Sequence, residues 1–63
     1  MNEFNLYVSF DSWYREKPDA VIKGNMVEKN EKYIEILDSE GYTQIFNLDK
    51  IFSITYKKGE YLY

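Results

Sequence analysis

The side chains that could carry out chemistry in this chain are few in kind. Across 63 residues there is no histidine and no cysteine, so the Ser-His-Asp and Cys-His arrangements of nucleophilic catalysis are out of reach. Only carboxylates, or a strongly perturbed lysine or tyrosine, remain as general bases. The usual thiolate and imidazole ligands for zinc are missing with them, and no disulfide can staple the fold. Gly24, Gly41 and Gly59 stand too far apart for a phosphate-cradling loop or a dinucleotide fingerprint. One acidic group stands out, because Glu35, Asp38 and Glu40 gather around a single turn where carboxylate oxygens would suit a hard cation such as Ca²⁺. The spacing completes no oxygen-ligand loop, and an exposed acidic hairpin accounts for it better. The chain reads as non-enzymatic, with no catalytic residue, metal or cofactor expected.

Contact chemistry is better represented. Trp13-Tyr14-Arg15 sets side by side the three residue types most enriched at binding hot spots. They fall in the irregular segment Asp11 to Asp19, which also holds the only proline, tryptophan and arginine. Two readings follow. Trp13, Tyr14 and Arg15 contact a protein partner, with Arg15 forking onto a carboxylate, or Trp13 folds back as a lid over one end of the fold and completes a small core. Tyr56, Tyr61 and Tyr63 form a second group, with Leu62 between the last two. These read as an oligomer contact or as a platform on which single-stranded bases stack. Lys57 and Lys58 alone make a weak electrostatic groove, which favours the subunit contact.

The elements that must position these groups follow from periodicity. Phe4, Leu6, Val8 and Phe10 alternate with Asn5, Tyr7, Ser9 and Asp11, the mark of a strand with one buried face. Tyr7 interrupts the polar side, as a surface patch or as part of a second buried face. Asp11 or Ser12 is placed to cap a helical turn through Glu16, which Pro18 would stop. An extended segment is expected from Ala20 to Glu28, bent or bulged at Gly24-Asn25. After the polar turn Lys29 to Lys32, a strand is expected from Tyr33 to Leu37. The alternative is a helix from Met26 to Leu37, since Met26, Val27, Asn30, Tyr33, Ile34 and Leu37 recur near helical spacing. Asn30 on that face and the β-branched far end favour the hairpin. Asp38 to Gly41 is a turn with Gly41 left-handed. A strand from Tyr42 to Asn47, a 3₁₀ turn at Leu48-Asp49-Lys50 and a strand from Ile51 to Lys57 complete the series. In that last strand Phe52, Ile54 and Tyr56 share a face. Lys58-Gly59 suggests a short reversal into a sixth strand, Glu60 to Tyr63.

Five or six short strands in one domain of residues 1–63 predict an all-β fold that curls into a partly open barrel, with at most one helical turn. The hydrophobic pattern and turns of Tyr33 to Leu37, Gly41, and Phe46 to Ile54 resemble the small SH3-like and Sm-like barrels. The resemblance is architectural and covers most of the chain. Peptide-binding SH3 domains carry an aromatic and acidic loop set that is not matched, and the basic residues of an RNA-binding Sm-like site are missing.

The formal charge of −3, with both signs interleaved, is a solubility pattern. It makes duplex nucleic acid an improbable ligand. Met1-Asn2-Glu3 has neither the positive region nor the apolar stretch of a secretory signal, and no apolar run is long enough to span a bilayer. A cytoplasmic protein is expected, and the absence of cysteine suits a reducing compartment. The leading expectation is a protein-interaction module, a small accessory or inhibitory protein of a bacterium or phage that binds a host protein, with a homodimer or higher oligomer in view. A single-strand nucleic-acid binder is the alternative. A pocket sequestering a small ligand or nucleotide at a subunit interface, with Arg15 as counter-charge, is the third reading.

Overall fold

The computed structural model describes residues 2–57. Five antiparallel strands form one sheet in the order β4-β3-β2-β1-β5. They are β1 (Asn2–Tyr7), β2 (Ala20–Lys29), β3 (Tyr33–Asp38), β4 (Thr43–Asn47) and β5 (Ser53–Lys57). A short helix α1 (Phe10–Tyr14) lies between β1 and β2, and a 3₁₀ turn (Leu48–Lys50) joins β4 to β5. This is the small all-β fold that the strand pattern predicts, with its single helical turn. The expected sixth strand, Glu60 to Tyr63, lies outside the described residues.

The core forms because the sheet coils until its inner face meets itself. Phe4 and Leu6 of β1 cluster with Ile34 and Ile36 of β3, although β2 separates the two strands within the sheet. Ala20, Ile22, Phe46, Leu48, Ile51 and Ile54 pack around these four. Register explains the selection. Phe4 stands opposite Ile22 and Tyr56, and Leu6 opposite Ala20 and Ile54, so residues of equal parity from three strands share one face.

β2 makes the coiling possible by serving both halves of the sheet. Its first half pairs with β1 as far as Gly24, and its second half pairs with β3 from Gly24 onward. At the crossover a Cβ on Gly24 would stand 2.1 Å from the carbonyl oxygen of Leu37, so only glycine permits that approach of backbones. The register shift falls two residues later than the sequence suggests, between Met26 and Glu28. There one extra residue bends the strand and increases its twist.

Residues 26–37 form the hairpin rather than the helix. Asn30 closes its turn by accepting from the backbone N–H groups of Lys32 and Tyr33 at 2.8 and 2.9 Å. The next hairpin turns at Gly41, whose φ of 91° is the expected left-handed position. Asp38 organises this turn, accepting from the N–H groups of Glu40 and Tyr42 and from the Gln44 side-chain amide.

The first strand differs from its pattern. Phe4 and Leu6 are buried as the alternation predicts, but Val8 and Phe10 are exposed, because the chain leaves the sheet after Tyr7. Tyr7, on the opposite face, is only 7% exposed. It is therefore not a surface patch, although Glu3 and Asn5 on the same face of β1 are only partly buried. Phe52 also departs from expectation: β5 begins at Ser53, and the Phe52 ring is half exposed.

Candidate functional site

Trp13, Tyr14 and Arg15 lie not in an irregular loop but at the end of α1. Ser9 is the N-cap, in place of the expected Asp11 or Ser12. Its hydroxyl accepts from the Ser12 N–H at 3.1 Å, while the Ser12 hydroxyl accepts from the Ser9 N–H at 3.3 Å. This reciprocal box satisfies two donors that an open helix end would leave unpaired. At the other end Glu16 takes a left-handed φ of 57°. The Glu16 N–H donates to the Trp13 carbonyl and the Lys17 N–H to that of Ser12, a reversal that usually recruits glycine. A non-glycine residue there costs about 1 kcal/mol.

The segments on either side of the helix are tied together and to the end of β1. Asp19 accepts from the Val8 N–H at 2.8 Å and donates its own N–H to the Leu6 carbonyl at 2.8 Å. The bond from Val8 is the main reason why the Asp19 carboxyl titrates below the ordinary value. On the other side the Phe52 N–H donates to the Tyr7 carbonyl at 2.7 Å.

These constraints assemble four rings. Phe10 lies 5.6 Å from Trp13, 5.9 Å from Tyr14 in a stacked arrangement, and 5.9 Å from Phe52 edge-on, while Trp13 lies 6.0 Å from Phe52. All are separations at which aromatic pairs attract. The rings nevertheless face water: Phe10 is 59% exposed, Trp13 41%, Tyr14 72% and Phe52 51%. At ~200 Å² a residue, the four together expose about 450 Å², comparable with the largest apolar patch of a typical monomer. Beneath it Tyr7, Trp13, Tyr14, Glu16 and Thr55 line a shallow cavity of about 360 Å³. Trp13 and Tyr7 both line this cavity. Arg15 sits at the rim, where its Nε donates to Asp11 Oδ1 at 3.1 Å between two exposed side chains.

Sequence reasoning found Trp13, Tyr14 and Arg15 but missed Phe10 and Phe52, which alternation assigned to buried faces. Ser9 and Ser12, spaced as a helix cap, are the signal that would have ended the strand before Phe10. For Phe52 no local signal exists, because its place depends on β5 lying beside the end of β1.

The second tyrosine group is represented by Tyr56 alone, since Tyr61 and Tyr63 lie outside the described residues. The Tyr56 ring leans on Phe4 at 5.1 Å. With Phe4, Met26, Lys29, Ile34 and Ile54 it lines an apolar cavity of about 220 Å³ on the inner face. Of the carboxylates read as a cation candidate, Asp38 is occupied in its own turn. Its pKa is lowered first by the Gln44 amide and then by the Tyr42 N–H. Among the described residues no group of three acidic side chains is placed to hold a metal, and no helix is long and apolar enough to cross a membrane.

No family model, no curated protein and no solved structure matches this chain.

Proposed function

We propose that this chain is a non-enzymatic protein-interaction module, in the manner of a small accessory or inhibitory protein, and that Phe10, Trp13, Tyr14 and Phe52 form its contact surface with Arg15 at the rim. One observation carries the reading: four largely exposed rings cluster around Phe10 on a capped helix whose flanking residues, Val8 and Asp19, are hydrogen-bonded to each other and, through Asp19, to β1. Rigid aromatic anchors lose little conformational freedom on docking, and tryptophan, tyrosine and arginine dominate binding energy at protein interfaces.

The test uses Tyr14→Ala combined with Arg15→Ala, two side chains that project from the fold. The unaltered chain should form a defined protein complex, with itself or with another protein, that the double variant loses at an unchanged melting temperature. A variant that keeps every association of the parent chain, or a parent chain that forms none, overturns the proposal.

A further inference from the structure

The shallow cavity beneath the rings has a chemistry of its own. The sheet contributes Tyr7 of β1 and Thr55 of β5, which share the outer face because Thr55 stands opposite Asn5, two residues before Tyr7. The end of α1 contributes Trp13 and Tyr14, and the reversal that follows it contributes Glu16. Three aromatic side chains thus share one cavity with a carboxylate. Among the described residues no basic side chain lines it, and Arg15, next to Glu16 in sequence, is paired with Asp11 instead.

That lining favours a cation. The faces of tryptophan and tyrosine rings attract positive charge, and the carboxylate adds the full negative charge that rings lack. The kind of cation follows from the scarcity of acceptors. A primary ammonium would give up hydration beside the rings without regaining enough hydrogen bonds, whereas a quaternary ammonium has no N–H group to satisfy. The volume of about 360 Å³ lies at the small end of ligand pockets. The backbone gives a second indication. Glu16 holds a left-handed φ of 57°, where glycine would be less strained, and its N–H donates to the Trp13 carbonyl. A carboxylate is kept at a position that stability alone would give to glycine.

We infer that this cavity binds a quaternary ammonium group, with Tyr7, Trp13 and Tyr14 as its aromatic lining and Glu16 as the counter-charge. The site goes beyond the protein-contact surface and does not depend on it.

The experiment titrates the full chain with choline while following the fluorescence of Trp13, the only tryptophan. Choline should give a saturable change at millimolar concentration that equal sodium chloride does not give. Its neutral isostere, with carbon in place of the nitrogen, should bind about tenfold more weakly. An amide-capped trimethyl-lysine run beside choline distinguishes a free cation from a modified side chain of another protein, by which of the two binds tighter; either result supports the site. Glu16→Gln should weaken choline about tenfold at an unchanged melting temperature. Glu16→Gly separates the site from the fold, since it relieves the left-handed strain and should lose choline to the same extent without lowering the melting temperature. No saturable response to either cation, an isostere that binds as well as choline, or a Glu16 variant that binds like the parent chain overturns the proposal. None of these outcomes bears on the contact surface, which the complex lost in the Tyr14→Ala, Arg15→Ala variant reads separately.

Discussion

Phe4 and Phe10 belong to one alternating run of sequence and meet opposite fates. Phe4 is sealed between β3 and β5 on the inner face of the coiled sheet, whereas Phe10 stands on the outer side in a cluster of rings open to water. The inner region packs Phe4 among aliphatic side chains and owes its order to strands far apart in sequence. The outer region is aromatic and owes its order to a few local bonds: the Ser9–Ser12 box, the Asp19 clamp and the reversal at Glu16. Apolar character alone does not decide burial. What decides it is whether another layer lies opposite, and among the described residues the outer rings stay exposed.

That contrast can be broken most severely from the inside. Ile36→Ala removes a fully buried side chain at the meeting point of β1 and β3 and should cost about 4 kcal/mol. A domain of this size has only ~3–9 kcal/mol in hand, so circular dichroism in urea should show a chain largely unfolded or nearly so. Gly24→Ala strikes the coiling directly, by setting a methyl group against the Leu37 carbonyl. A loss of about 3 kcal/mol is expected, read in the same denaturation experiment.

The outer region should respond in a graded way. Trp13→Ala removes a side chain that is more than half buried, for a loss of about 2 kcal/mol, whereas Tyr14→Ala should change stability by under about 0.5 kcal/mol. Equal losses at the two positions would mean that the platform is a second core, and equal silence would mean that Trp13 covers nothing.

The gentlest perturbation is acid. Asp19 ties the outer helix down and Asp38 shapes the hairpin that carries the inner face, and both titrate below the ordinary 3.8 in the folded chain. A carboxylate with a depressed folded pKa contributes stability above its unfolded value and loses it as pH falls through its folded value. Stability should therefore hold down to pH 3.8 and then decline. Asp38→Asn should flatten part of that decline without moving the Phe10 and Trp13 rings. Tryptophan fluorescence, which reports on Trp13 alone, separates the two regions in the same titration.

Local pattern was a sound guide wherever a residue's neighbours in sequence are also its neighbours in space. The Tyr33 strand, the Asp38 to Gly41 turn and the 3₁₀ turn at Leu48–Lys50 lie where expected, because turn chemistry and alternation act over a handful of residues. It misplaced Val8, Phe10 and Phe52 for a common reason. Alternation continues across a strand end without change, while the sheet does not. The candidate site was half visible for the same cause: Trp13, Tyr14 and Arg15 are contiguous, but Phe52 joins them only through the pairing of β5 with β1.

The amino-acid sequence by itself determined that this is a small, aromatic-rich β domain without thiol or imidazole chemistry. Only the tertiary structure decided which rings remain outside. Burial depends on contacts between residues distant along the chain, and the coiling of the sheet at Gly24, together with the exit of the chain after Tyr7, turned one set of side chains inward and left the other facing water.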